Sequence, residues 1–288
     1  MTQLIVNADD FGLTPGVNRA IAELHAAGAV TSASLMARGA AVDDAIEIAL
    51  RTPSLGVGCH VVLADGTPVL SPQAIPHLAN PATGSMDAST ARFLLALGRG
   101  PRAHRAMVRE IQDETAAQIA LLQSRGVRLT HIDTHKHLHM FPSVLRPVLR
   151  AAHAAGIRVI RNPFEPLWAV RATPKPSFIR FAEVVALRTL APICRRIIAE
   201  EGFVTTGGTV AVLGTGHLDA AALAALLGSL QPGVWELVTH PGYNDADLDK
   251  IHTRLRASRN GERLALPAVK NFPGIDLVSF AALQSARL

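Results

Sequence analysis

The sequence predicts an α/β protein: a single-domain (β/α) barrel of about seven parallel strands, a distorted barrel of the eight-stranded (β/α) type. Three observations predict it. Short apolar runs of strand length alternate with amphipathic runs of helical length along the chain, the pattern of parallel strands joined by outer helices. Hydrophobic residues make up 49% and charged residues 18% of the 288 residues, which excludes an intrinsically disordered chain and permits one large core. Reactive side chains recur just past the strand-like runs, where such folds carry their chemistry. A doubly wound open sheet is the alternative architecture. The whole chain, 1–288, reads as one domain.

The elements follow in order. Residues 4–7 form a short apolar run suited to a buried strand. Thr14-Pro15 reads as an N-cap with proline at the first helical position. Val17, Ala20, Ile21 and Leu24 then recur at helical spacing, and Gly28 can end that helix. Strands are expected at 30–36 and 55–63, separated by a helix over 40–50 with Val42, Ile46 and Ala49 on one face. Residues 64–103 are rich in Pro, Gly and small side chains and are expected to be a loop excursion, a candidate binding loop. A long amphipathic helix over 104–124 ends at Gly126. A strand at 128–133, a helix at 143–155 closed by Gly156 and a strand at 157–160 follow. Residues 178–199 read as one basic amphipathic helix, 210–213 as a strand, 220–230 as a helix and 234–239 as the last strand.

Aromatic residues are only 4%, so the core is mostly Ala, Leu, Val and Ile. The longest stretches without Asp, Glu, Lys or Arg are 16 residues, 203–218 and 220–235, and Asp219 separates them, so no membrane span is expected. The opening MTQLIVNADDFG has no basic region ahead of an apolar one, as a secretory signal would. Cys59 and Cys194 make no disulfide framework, and a reducing cytoplasm is the expected compartment.

Net charge is +5, unevenly placed. Residues 146–196 hold ten Lys or Arg, Lys175 among them, against Glu165 and Glu183. No nucleic-acid module accompanies this patch, so no nucleic-acid partner is expected. Within 163–198, Phe164, Leu167, Trp168, Phe178, Ile179, Phe181, Val184 and Val185 interleave with Arg171, Lys175, Arg180 and Arg188. Such a segment either packs on the barrel or lies on an anionic membrane surface, peripheral to the inner face of the membrane.

Four strand ends carry reactive residues. The first ends in Asn7-Ala8-Asp9-Asp10, two adjacent carboxylates that are costly to bury unpaired. The third carries Cys59-His60 and the last Thr239-His240-Pro241-Gly242-Tyr243. The fourth runs through His131, Asp133, His135, His137 and His139, which share one face if the chain stays extended. Four imidazoles and a carboxylate on one face suit a metal ion or a polar cavity better than a core. At ~3.3 Å per residue, His137 and His139 lie about 7 and 13 Å beyond His135, so one ion cannot take all three unless the chain turns. Pro142 is consistent with a turn. Two His and one Asp would leave coordination positions open, as in a catalytic site. Metal-assisted hydrolysis of an ester or amide fits, with a second carboxylate as base and a histidine as acid. There is no G-x-S-x-G elbow, P-loop or G-x-G-x-x-G. An amidohydrolase of small cyclic amides would begin with H-x-H, not Asp-Asp. A non-catalytic sugar- or lipid-binding barrel would need no metal set.

The strings LIVNADDFGLTPGVNRAI, VTSASLMARG, GVGCHVVLADGTPVL, THIDTHKHLHMFP and ELVTHPGY resemble the YdjC-like carbohydrate deacetylases, which include chitooligosaccharide deacetylases, over residues 4–243. The segments LADGTPVLSPQAIPHL, VAVLGTGHLD and LQPGVWELVTHPGY and the tail 259–280 resemble one branch, the hopanoid-biosynthesis-associated deacetylases. The resemblance implies a barrel-like fold and removal of an acetyl group from an N-acetylated amino sugar, with the sugar head of a hopanoid glycolipid as the expected substrate and a chitooligosaccharide or other small acetylated sugar as the alternative. It implies Asp10, His60 and His135 as ligands of one divalent ion, zinc ahead of magnesium, nickel, cobalt or iron. It implies Asp9 as general base and His240 as its acid-side partner. Lys136 stands where chitooligosaccharide enzymes often have a histidine, and an extended strand would aim it away from the metal. Asp133 is expected to orient a neighbour, and His139 and Tyr243 to face the substrate. His131 is expected in packing or a hydrogen bond. His25, His77, His104, His153 and His252 are expected to be surface or structural. The alanine-rich helices are compatible with a homodimer.

Overall fold

The computed structural model describes residues 1–285 except 88, 175 and 252. Lys175 and His252, both singled out above, lie outside the described residues. The chain begins with β1 (Thr2–Phe11), whose residues are buried from Leu4 onward. A strand covered on both faces is what a continuous apolar run requires. Thr14 then caps α1 (Pro15–Ala26), its Oγ1 accepting from Val17 N at 3.2 Å, and Pro15 opens the helix as expected. Gly28 takes φ 76, the left-handed turn that ends it. β2 (Ser32–Leu35), α2 (Val42–Arg51) and β3 (Gly56–Val61) continue the alternation.

The excursion after β3 is shorter than expected. Residues 64–87 form the irregular part, α3 (Thr90–Leu97) follows, and α4 (Pro101–Ser124) begins before residue 104. Two acids of α4 hold the irregular backbone. Glu114 accepts from Val69 N and Leu70 N, and Glu110 from His77 N and Leu78 N. Buried amides of a loop need such partners. β4 (Ile132–Thr134) is only three residues and gives way to a 3-10 turn, His135–Met140. α5 (Pro142–Ala154), α6 (Leu167–Ala172), α7 (Phe178–Leu187), α8 (Ala191–Glu200), β5 (Thr209–Val210), α9 (Ala220–Gly228), β6 (Gly233–Thr239), α10 (Ala246–Asp249), α11 (Arg256–Ala265), β7 (Ile275–Leu277) and α12 (Phe280–Ser285) complete the chain.

The sheet has the order β4-β3-β2-β1-β6-β5, every pair parallel, and β7 adds to the first residues of β1. The run 157–160 is not a regular strand. It is joined only by single bridges, Ile132 to Ile160 and Val159 to Val204. Those bridges continue the sheet past β4, and the chain from Val204 reaches β6 through the pairing of Thr209 with Glu236. The sheet therefore curls into a distorted barrel with an irregular seam at 157–210.

Two further expectations are corrected at that seam. The strand expected at 210–213 is confined to Thr209–Val210, because the next residues wrap a buried carboxylate: Glu165 accepts from Ala211 N and Leu213 N. The single helix expected over 178–199 is two helices, α7 and α8, with a 3-10 turn at Arg188–Leu190. Part of its apolar face packs inward, Val184 and Cys194 being buried. Part does not: Phe178 is 82% and Ile179 70% exposed.

Candidate metal centre

The C-terminal end of β1 sets the site. Pairing with β2 shifts register between Ala8 and Phe11, and Asp10 lies at φ 63 inside that bulge. A non-glycine residue in the left-handed region holds a strained backbone, and a bulge re-aims a side chain. Asp9 and Asp10 thereby serve different partners.

Asp10 faces two histidines. Its Oδ1 lies 3.7 Å from His60 Nε2 and 3.5 Å from His135 Nδ1, and those nitrogens are 3.3 Å apart. A tetrahedral zinc ion with bonds near 2.0–2.1 Å has ligand-to-ligand edges of about 3.3 Å, so the donor triangle fits a divalent cation. His60 comes from β3 and offers Nε2 because Asp133 Oδ1, 2.8 Å from Nδ1, fixes the other end of the ring. Burial disfavours the charged His60 imidazole, yet Asp133, Asp9 and Asp10 more than offset this and raise it to about 9. The cluster draws positive charge to this point, as a proton or as an ion. Burial raises the Asp10 carboxyl, but Arg259 and His135 overcome it and hold Asp10 well below the usual carboxylate range. The His135 side chain is 22% exposed, so the triangle opens to solvent on its side.

Asp9, His60 and Asp133 also bring donor atoms within 4.8 Å of one another. A cation does not belong there, because one already occupies the place. Arg161, fully buried, reaches Asp9 at 2.6 and 2.9 Å, Asp133 at 2.6 Å and Glu236 at 2.7 Å. Burial pushes the Asp9 and Asp133 carboxyls up, and Arg161 reverses this and holds both down. Asn7 Nδ2 adds a hydrogen bond to Asp9 Oδ1 at 2.9 Å. Asp9 is thus an ionised, oriented carboxylate. His240 Nε2 lies 3.8 Å from Asp9 Oδ2, and burial lowers the His240 imidazole to about 4, so it is neutral at pH 7.

The extended histidine face is not formed. Thr134 ends the strand, and Lys136 and His137 take φ 57 and 53, so the chain turns immediately after His135. Lys136 is directed to Asp65, with Nζ 2.6 Å from Oδ2. His139 is fully buried with Nδ1 2.7 Å from Thr134 Oγ1, which places it inside the turn and not on a substrate surface. Tyr243 is likewise elsewhere. Its hydroxyl donates to Glu23 on the outer face of α1 at 2.5 Å, and the guanidinium carbons of Arg19 and Arg263 lie 4.7 and 4.2 Å from its ring centre. His131 is structural, stacked on Phe280 at 4.0 Å and bonded to Thr130.

Four site residues escape the sequence reading. Arg161 stands directly after a strand-like run, the position that marks functional residues, yet in the sequence it is only one of the ten basic residues of 146–196. Glu236 lies inside the last strand, where an acid breaks the apolar run. Arg259 and Glu262 come from α11, and no pattern in the sequence links them to the barrel mouth.

A carbohydrate deacetylase of Thermoanaerobacter pseudethanolicus is 29% identical over 266 residues, covering 92% of this chain and 91% of its own. A carbohydrate deacetylase of Brevibacillus brevis is 41% identical over 159 residues, 54% of this chain, and the aligned part spans only 58% of that relative. A solved structure from Enterococcus faecalis V583, named for cellobiose-phosphate cleavage, superposes with a TM-score of 0.74 over 98% of each chain at 24% identity, a likeness of fold. The profile of the family described as YdjC-like protein matches residues 3–270, which include every residue of the site described above, and the chain belongs to that family.

Proposed function

We propose that the protein is a metal-dependent carbohydrate deacetylase that hydrolyses the acetamide of an N-acetylated amino sugar. The observation that carries this reading is the convergence of Asp10, His60 and His135 on one solvent-facing point, with Asp9 and His240 beside it. Those three would hold a divalent ion, which would polarise the amide carbonyl and lower the pKa of a water beside it. Asp9, kept ionised and oriented by Arg161, accepts the proton of that attacking water. His240 carries no charge of its own at pH 7, so the proton it delivers to the departing amine nitrogen has to reach it first, from the Asp9 side. Water and amide become acetate and a free amine.

The substrate we propose is lipid-linked, the acetylated sugar head of a hopanoid-type glycolipid, with a soluble chitooligosaccharide as the alternative. The exposed Phe178 and Ile179, with exposed Arg180 next to them in α7, favour the lipid-linked form, because an apolar end beside a cation suits an anionic bilayer surface; Arg188 instead donates to the Glu165 carbonyl. No described helix is long and apolar enough to cross a membrane, so the contact would be peripheral. The test is acetate release from N-acetylglucosaminyl lipid in vesicles and from chitobiose, side by side, with and without chelator. Release from the lipid that chelator abolishes is the expected result. Release from chitobiose alone leaves the deacetylase and removes the lipid. No release from either substrate under any divalent metal removes the deacetylase reading.

A further inference from the structure

A fully buried arginine needs a reason, and Arg259 has one partner that explains it. Arg259 is 1% exposed. Its Nη2 donates to Asp10 Oδ2 at 2.5 Å, while its Nε and Nη1 have no hydrogen-bond partner among the described residues. Burying an incompletely bonded guanidinium is unfavourable, so its one strong contact is where its role lies. The two oxygens of Asp10 are divided. Oδ1 faces His60 and His135, and Oδ2 is taken by Arg259. The division fixes the rotation of the carboxylate and leaves one oxygen for an ion. Asp10 needs such a hold, because its backbone sits at φ 63 inside a bulge.

The route of Arg259 is itself built. A Cβ at Gly242 would lie 3.2 Å from Arg259 Cδ, so the glycine of the His240-Pro241-Gly242 turn leaves the space that the arginine stem fills. One turn further along α11, buried Glu262 accepts from His240 N at 2.6 Å. α11 therefore steadies two edges of the site from outside the repeating β/α units.

We propose that Arg259 is a positioning residue for the metal centre: it holds Asp10 as a one-oxygen ligand. This rests on the reading of Asp10, His60 and His135 as a metal site. The experiment titrates the purified full-length protein, stripped of metal, with Zn²⁺ by calorimetry and with Co²⁺ by visible absorption, for wild type, Arg259→Met and Arg259→Lys. Thermal melts of the metal-free proteins establish that each variant is folded. Loss of such an outer contact typically weakens metal binding by about 10- to 100-fold. Arg259→Met is expected to bind Zn²⁺ at least tenfold more weakly and to change the Co²⁺ spectrum, because a freed carboxylate alters the coordination number. Arg259→Lys, which keeps one donor, is expected to fall between. Zinc affinity within twofold of wild type, or tighter, with an unchanged Co²⁺ spectrum overturns the role. Should Arg259→Met not fold, Arg259→Lys carries the same test, and wild-type affinity and spectrum in that variant overturn it. Absence of Zn²⁺ and Co²⁺ binding by wild type overturns instead the metal reading on which the role depends.

Discussion

At the scale of single residues, one arginine explains why two adjacent carboxylates are tolerated at the end of a buried strand. Arg161 reaches Asp9, Asp133 and Glu236 at once. Removing one partner of a buried charge network leaves uncompensated charge and costs about 3–5 kcal/mol. Arg161→Met should therefore lower unfolding stability by about that much in urea titration, and adding Asp9→Asn should restore part of the loss. A loss below about 1 kcal/mol, the scale of an exposed pair, would show that Arg161 does not neutralise the cluster. Asp9→Asn alone should keep the metal, since Asp9 is not in the ligand triangle, yet slow acetate release by at least about 100-fold, the lower bound for removing a general base. Full rate in that variant removes the base assignment. Asp9, Asp10, His60, His135 and His240 were legible in the sequence because polar residues at strand ends break an apolar pattern. Arg161 was not singled out among the ten basic residues of 146–196, since arginine is rarely buried without partners and its partners lie up to 152 positions away. His139 was misplaced because the turn after His135 uses left-handed backbone at Lys136 and His137, neither of them glycine; Tyr243 was misplaced because its hydroxyl is drawn outward to Glu23 on α1, a partner 220 positions away.

At the scale of elements, the amphipathic helices were legible from their period and the buried strands from their short apolar runs. The seam at 157–210 was not. Its strands are held by single bridges and by side chains such as Glu165, and such contacts leave no periodic trace. Close packing inside the barrel gives a sharper test. A Cβ at Gly58 on β3 would lie 2.6 Å from His131 Cδ2, and the ring is backed by Phe280 at 4.0 Å. Overpacking a filled core costs about 1–3 kcal/mol, so Gly58→Ala should lose that much stability. His131→Ala in the same chain should make the second change nearly neutral. Additive losses in a double-mutant cycle would show that the ring yields. The exposed end of α7 predicts the opposite combination. Phe178→Ser with Ile179→Ser should alter stability by no more than about 0.5 kcal/mol, as surface changes do, while reducing retention on anionic vesicles. Unchanged retention removes the membrane contact.

At the scale of the whole molecule, buried carboxylates fall into two opposed sets. Asp9, Asp10 and Asp133 are held below the ordinary range by Arg161, Arg259 and the histidines, so their contribution is present above an unfolded pKa near 3.8 and is lost as the pH falls through their folded values. Glu165, Glu236 and Glu262 are pushed by burial from 4.5 up to about 7. Between those values the folded chain keeps a proton that the unfolded chain has released, so stability falls as the pH rises through the window. Buried His131, His139 and His240, lowered by burial to about 3, 3 and 4, act the other way below an unfolded value near 6.5, so the glutamate effect has to be read at a single residue. Glu165 isolates the effect, because it bonds the loop at 211–213 and not the ligand triangle. The amides of Ala211 and Leu213, with Ala211 at φ 71, form a cup that receives its carboxyl group. At ~1.4 kcal/mol per unit, its shift corresponds to about 3 kcal/mol between pH 4.5 and pH 7. Glu165→Gln has no proton to release, so its stability should depend less steeply on pH. The advantage of wild type over the variant, measured by urea titration at pH 5, 6, 7 and 8, should shrink as the pH rises and level off above 7. A gap of constant size across that range would mean that Glu165 is ionised throughout and that the cup stabilises the carboxylate more strongly than burial opposes it.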